Sequence, residues 1–297
     1  MKTPLGFIEL ESGLMEVYAM NDLFLNFTFE KEENWETFRL IINILLEEYR
    51  RQNQPTIVTP IDGKIHIETQ YKFYVNASNK NKTRNQDFRI DEIDSDRISY
   101  IEFQNKAMTR PPIEVRAAEY FGLGIGQNPE KKNANQIWLL ASDADTVLQE
   151  KTFAHYILKD ETTNNIYPGT SGIMFISLTK LSKEDNLAGE LALLLLGRLS
   201  SPQNEDVKHI ADAFSTSFET FKDDKEVKST MTIIEKWLMQ GWEDGHEAGH
   251  EVGREEGLAE GLAEGLTEGA NRIVELIKSG LSPDEALRKI NEEYTPA

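Results

Sequence analysis

The chain has 297 residues, no cysteine and a formal net charge of -19 at neutral pH. Without cysteine there is no disulfide framework, thiolate nucleophile or cysteine zinc site, and the acidity excludes a basic surface that adheres broadly to nucleic acid. No basic-then-apolar leader opens the sequence and residues 191–196 are far too short to span a bilayer, so a soluble cytoplasmic protein, with no membrane partner, is expected.

In chain order, residues 34–51 carry Trp35, Phe38, Ile41, Ile42, Leu45, Leu46 and Tyr49 on one helical stripe, which Gln54 and Pro55 end. Residues 56–75 read as two short strands around the Asp62-Gly63 turn. A polar loop, 76–86, follows and holds Lys80, Lys82 and Arg84. It is either a phosphate-contacting loop or simply a solvated one.

Residues 87–106 read as a β-hairpin turning at Asp94-Ser95-Asp96-Arg97. Phe88, Ile90, Ile101 and Phe103 form its apolar face. Asp87, Arg89, Asp91, Glu102 and Gln104 form the other, because residues i and i+2 share a face of a strand. A two-residue loop, Ser95-Asp96, would set Arg89 opposite Glu102 and Asp87 opposite Gln104. Gathered carboxylates repel unless a proton or cation holds them, and an oxygen-only set suits Mg²⁺ or Mn²⁺.

Pro111 and Pro112 stand at the entrance of a helix over 113–122, with Arg116 and Tyr120 one turn apart. The glycines of Gly122-Leu123-Gly124-Ile125-Gly126 read as its C-cap and turn. Short strands are expected at 136–141, 154–159 and 173–181. Strands interleaved with helices give an α/β domain over 1–205, then a helical connector, 206–240, and a separate tail, 241–297.

In the tail, eight glycines recur at every fourth residue from Gly241 to Gly269, among nine acids and one arginine. The spacing resembles close helix packing, but the acids exclude a membrane setting. Two readings follow: a helix that self-associates, most simply as a homodimer, or docks on the preceding domain, and an expanded linker. Within the repeat, His246-Glu247-Ala248-Gly249-His250 matches the zinc-peptidase pattern H-E-x-x-H. The slot after each glycine passes through Trp242, His246, His250, Arg254 and Leu258, so the histidines read as members of the repeat.

The set Asp87…Glu102-x-Gln104 resembles the PD-(D/E)XK nuclease superfamily, in which an Asp on one strand and Glu-x-Lys on the next bind Mg²⁺. It is most similar to the recombination-promoting nuclease/transposase family, which carries E-x-Q there. Asn21-Asp22, Phe29, Glu33-Asn34 and Asn43 follow that family's N-terminal pattern, with Asn26 where a Lys is expected. Arg116 and Tyr120 match its R-x-x-x-Y helix, and 173–181 its late strand; the likeness covers about residues 20–290.

The resemblance implies a mixed central sheet flanked by helices, with a helical C-terminal extension, and Mg²⁺- or Mn²⁺-dependent hydrolysis of DNA in recombination or transposon-like mobility. It makes Asp87 and Glu102 metal ligands, helped by the Phe103 carbonyl, and Gln104 a water-orienting amide in the lysine position. Lys106, Arg84 and Lys82 are candidate DNA contacts. Arg116 either touches a phosphate or pairs with a carboxylate such as Glu119. A catalytically decayed member, acting through its helical tail as an interaction protein, is the alternative.

Overall fold

The computed structural model describes residues 3–10, 13–54, 56–74, 83–105, 112–127, 133–142, 148, 150–166, 170–232, 285 and 288–289. The first elements are a hairpin of β1 (Gly6–Leu10) and β2 (Gly13–Val17), then helices α1 (Asp22–Phe29) and α2 (Trp35–Gln52). Asn21 caps α1, its side-chain oxygen accepting the Phe24 N–H at 3.0 Å. This satisfies one of the donors that a helix start leaves open. The stripe on α2 is buried as its spacing requires, with Phe38, Ile41, Ile42 and Leu45 fully inaccessible.

The two strands expected over 56–75 are one. Residues 57–62 form no ladder, because side chains supply partners to their main chain: Arg97 donates to the Pro60 carbonyl at 2.6 Å, Glu92 accepts the Asp62 N–H at 3.4 Å, and Asn43 of α2 serves Ile61. Asn43 accepts the Ile61 N–H at 2.7 Å and donates to its carbonyl at 2.8 Å, doing for this segment what a neighbouring strand would do.

A six-stranded mixed sheet follows, made of β3 (Ile65–Tyr74), β4 (Thr83–Glu92), β5 (Arg97–Gln104), β6 (Asn133–Leu140), β7 (Phe153–Tyr156) and β8 (Thr170–Ser177), in the order β3-β4-β5-β6-β8-β7. Strands β3 to β5 are antiparallel, β5, β6 and β8 parallel, and β7 closes the far edge antiparallel to β8. Strand β4 begins at Thr83, so Arg84 lies in a strand opposite Phe73 and not in the polar loop.

The hairpin register also differs from expectation. The connection is four residues long, 93–96, and Arg89 faces Tyr100, not Glu102. The two-residue shift leaves each side chain of the regular ladder on its expected face, since the pleat has period two.

Each sheet face has its own core. On one side Phe88 and Phe103 pack with Phe38 of α2, with ring centroids 4.7 and 6.2 Å from it. On the other, helix α3 (Ile113–Gln127) lays Ile113, Ala117 and Tyr120 over Ile98, Tyr100, Ala134 and Trp138. Helix α3 runs five residues past its expected end at Gly122. Gly124 is inside it because a Cβ there would stand 2.7 Å from the Tyr100 ring. The glycine serves close packing and not a turn.

The stretch 173–181 is a strand and then a helix. Ser177 ends β8 and caps α4 (Leu178–Leu181), accepting the Lys180 N–H at 3.1 Å. Helices α5 (Leu187–Leu195) and α6 (Glu205–Phe221) complete this unit. The expected boundary at 205 fails for a physical reason. Helix α6 buries Val207, Ile210, Phe214, Phe218 and Phe221, and Phe24 of α1 meets Phe214 and Phe221 at 5.8 and 5.2 Å. The compact unit therefore extends over Met1–Ser229, and a second comprises Thr230–Ala297.

The glycine repeat, the H-E-x-x-H stretch and the dimer expectation lie outside the described residues, as do Lys80, Lys82 and Lys106. Among the described residues no helix is long and apolar enough to cross a membrane.

Candidate functional site

The site begins where the sheet comes apart. Strand β4 pairs with β5 only from Asp91 to Phe88, although both strands continue. On its other side its ladder with β3 skips the Gln70–Asp87 position, where Gln70 adopts a left-handed φ of 50°. Asp87 thus lies at a gap on both sides. Such backbone is unfavourable for a residue with a Cβ and persists only where its surroundings over-determine it.

Carboxylates fill the gap. Asp87 Oδ2 accepts the Phe103 main-chain N–H at 2.8 Å, and Glu102 Oε2 accepts the Asp87 main-chain N–H at 3.3 Å. Each side chain supplies the acceptor that a ladder carbonyl would have supplied. Alternation fails here too: Gln86, which strict pleating would send to the Phe88 face, donates to Glu102 Oε2 at 3.0 Å on the α3 side.

The remaining polar groups come from β5, β6 and α3. Arg116, one turn into α3, donates Nη2 to Glu102 Oε1 at 2.6 Å and Nη1 to Gln104 Oε1 at 2.9 Å. Its guanidinium carbon lies 5.2 Å from the Trp138 ring centroid, within cation–π range of that ring. Gln136 donates to Gln86 Oε1 at 3.4 Å and accepts the Trp138 indole N–H at 3.1 Å. At the end of β5, Asn105 donates to Asp22 Oδ1 at 3.1 Å and to the Met20 carbonyl at 2.5 Å, tying the start of α1 to the site.

Charge and burial oppose each other here. Glu102 is 5 % exposed. Burial pushes the Asp87 carboxyl up to about 7, the Asp22 charge adding to the rise while the Phe103 N–H and Arg116 oppose it. Glu102 is also held well above the usual carboxylate range, by burial first and then by Asp87, with Arg116 again opposing. One arginine faces three carboxylates, so the cluster favours an added proton or cation.

The donor set fits a hard cation in part. Its atoms are all oxygens, and Asp87 Oδ1 has no protein donor among the described residues. Mg²⁺ commonly takes one or two carboxylates and keeps several waters, which Asp87 and Glu102 match. No cage is built, however. Among the described residues no three His, Asp or Glu side chains converge into a group able to hold a metal. Glu102 already accepts from Arg116, Gln86 and Asp87 N–H, three of its roughly four lone-pair sites.

Of the residues singled out in the sequence, Asp87, Glu102, Gln104 and Arg116 come together. Arg116 is taken up by Glu102 and Gln104, so the pairing alternative holds, with Glu102 as the carboxylate. Tyr120 is 5 % exposed and packs in the α3 core, its ring 5.8 Å from that of Trp138. The main chain of Arg84 is in β4, three residues before Asp87.

Sequence reasoning missed the roles of Gln86, Gln136 and Asn105, and gave Asp22 none beyond its place in a pattern. A glutamine set directly before an apolar run, as Gln136 is before IWLL in β6, was the available signal. Compared with known proteins, the chain matches no family model, no curated protein and no solved structure.

Proposed function

We propose that the chain is a Mg²⁺- or Mn²⁺-dependent endonuclease that hydrolyses DNA phosphodiester bonds, built on a PD-(D/E)XK-like sheet and serving recombination or transposon-like mobility. The observation that carries the reading is the pairing of a part-buried Asp87 with a buried Glu102 in the parted strands, with the Gln104 amide next along β5 and too little positive charge to balance them.

In this reading Asp87 and Glu102 hold the cation. When bound, the cation acidifies a water and neutralises charge developing on the phosphoryl oxygens. The protein's own part is positional. Arg116 fixes the rotamers of Glu102 and Gln104 together, and Asn105 holds Asp22 against the same pocket. Gln104 orients by hydrogen bonding and brings no charge, so more of the electrostatic work falls to the cation. The acidic surface restricts DNA to approach through a local patch, and the biological role follows from the resemblance of the motifs.

A second reading has its own observation. Glu102 is nearly satisfied by protein donors and Gln104 Oε1 is engaged by Arg116, as in a decayed site that keeps its geometry for stability and acts through other surfaces. Incubation of supercoiled plasmid with purified protein and Mg²⁺, Mn²⁺ or EDTA decides between them. Metal-dependent nicking that Asp87→Ala and Glu102→Ala each abolish supports the nuclease. Absence of cutting by well-folded protein, or equal cutting by both variants, refutes it.

A further inference from the structure

Two amides and an indole lie inside the sheet's α3-side core, where apolar side chains would pack as well. Gln86 and Gln136 are both 0 % exposed, and so is Trp138. Burying an amide is costly unless its hydrogen bonds are made. Here they are made in series: Trp138 Nε1 to Gln136 Oε1 at 3.1 Å, Gln136 Nε2 to Gln86 Oε1 at 3.4 Å, Gln86 Nε2 to Glu102 Oε2 at 3.0 Å.

The direction of this chain is chemically fixed. An indole N–H can only donate, so Gln136 must turn its oxygen toward Trp138 and its NH₂ toward Gln86. Gln86 must then present its oxygen to Gln136 and its NH₂ onward. The last member has to accept, and a carboxylate oxygen carrying a lone pair does so. Arg116 donates to the other oxygen of the same carboxylate. Glu102 is thus gripped at both oxygens by donors whose own orientations are locked from behind.

We infer that Trp138, Gln136 and Gln86 form a positioning relay that fixes the rotamer and lone-pair directions of Glu102 as a cation ligand. The relay rests on the nuclease reading only for what Glu102 binds. None of the three touches substrate or cation; each acts through Glu102. Outer groups that orient a metal ligand typically matter by about 10–100-fold in metal affinity, the effect expected of Gln86, the member in contact with Glu102.

The test is Mn²⁺ affinity of the full-length chain, read from the electron paramagnetic resonance signal of free Mn²⁺, with thermal melting beside it. Gln86→Leu is expected to weaken Mn²⁺ about 10–100-fold. Trp138→Phe, which keeps a ring beside Phe175 but removes the orienting N–H together with part of the buried ring, is expected to weaken it several-fold and also to lower the melting temperature. The Trp138 indole ¹⁵N–H resonance should move when Mg²⁺ is added to wild type and stay still in Gln86→Leu.

If both relay variants bind Mn²⁺ like wild type while Glu102→Ala does not, the relay is ordinary core packing and the inference falls, leaving the nuclease reading intact. If wild type binds no Mn²⁺, or Glu102→Ala binds it equally well, both fall. Should Gln86→Leu fail to fold, Trp138→Phe carries the same comparison.

Discussion

Asp87 and Glu102 are joined through the main chain: Glu102 accepts the N–H of Asp87, and Asp87 accepts the N–H of the residue after Glu102. The two carboxylates are held together by the strands they part, in spite of their charges. Desolvation and mutual repulsion are then built into the fold, and their consequences can be measured.

Asp87→Asn should stabilise the protein in alkaline solution. With the folded-state value near 7 against about 4 unfolded, the folded chain binds the proton more tightly. The group's contribution is therefore fully present at low pH and is lost as pH rises from about 4 to about 7. Urea unfolding of wild type should show this loss, and the Asn variant should lack it, exceeding wild type at pH 8 by about 2–4 kcal/mol. Added Mg²⁺ should narrow the difference by stabilising wild type alone. A wild type whose stability climbs through that window would contradict the assignment.

Gln104→Lys sets an ammonium against the Arg116 guanidinium, which now donates to Gln104 Oε1. A loss of about 1–3 kcal/mol is expected from the broken bond and the like charges. Adding Arg116→Gln should recover part of it, and a double-mutant cycle by denaturant melts measures the coupling. Additive effects would show that the two side chains act independently. Only the double variant fairly tests a lysine at this position in cutting assays.

Gly124→Ala tests the reason for a glycine within α3. Helix propensity alone predicts a gain of about 1 kcal/mol. The new Cβ would meet the Tyr100 ring at 2.7 Å, and overpacking of this kind costs about 1–3 kcal/mol. Net destabilisation by chemical denaturation is the expected outcome; a net gain would mean that the ring moves freely.

Helix α6 should prove indispensable to the first unit. Phe214→Ala, at a fully buried ring, should cost about 3–5 kcal/mol. A chain ending at residue 229 should melt cooperatively, whereas one ending at 205 should not, because Phe24 loses the rings of Phe214, Phe218 and Phe221 and Phe29 loses that of Phe214. Circular dichroism melts of the two truncations give the comparison.

Much of the architecture could be read from periodicity. Helix α2 and the hairpin of β4 and β5 carry strong 3.6- and 2-residue patterns, and both formed. Register was harder, since a four-residue turn and a two-residue turn preserve the same alternation and differ only in which residues face each other. Residues 57–62 form no strand because side chains distant in sequence, Asn43, Glu92 and Arg97, bond their main chain. The boundary at 205 was misread because α6 finds its apolar partners in α1, almost two hundred residues earlier. Within the site the carboxylates and Arg116 stood out as charges, while Gln86 and Gln136 resembled ordinary polar residues until burial revealed them.

The break at Asp87 also bears on how the sheet finds its alignment. If β4 slid by one residue along β5, Asp87 would enter the space of Phe88, among the rings of Phe29, Phe38 and Phe103. Phe88 would in turn take the place of Arg89, opposite Tyr100. An ionised carboxylate stranded among aromatic rings costs far more than a missing ladder bond. The residues that furnish the site therefore also act as a key against mispairing, rejecting the neighbouring register before any ligand is met.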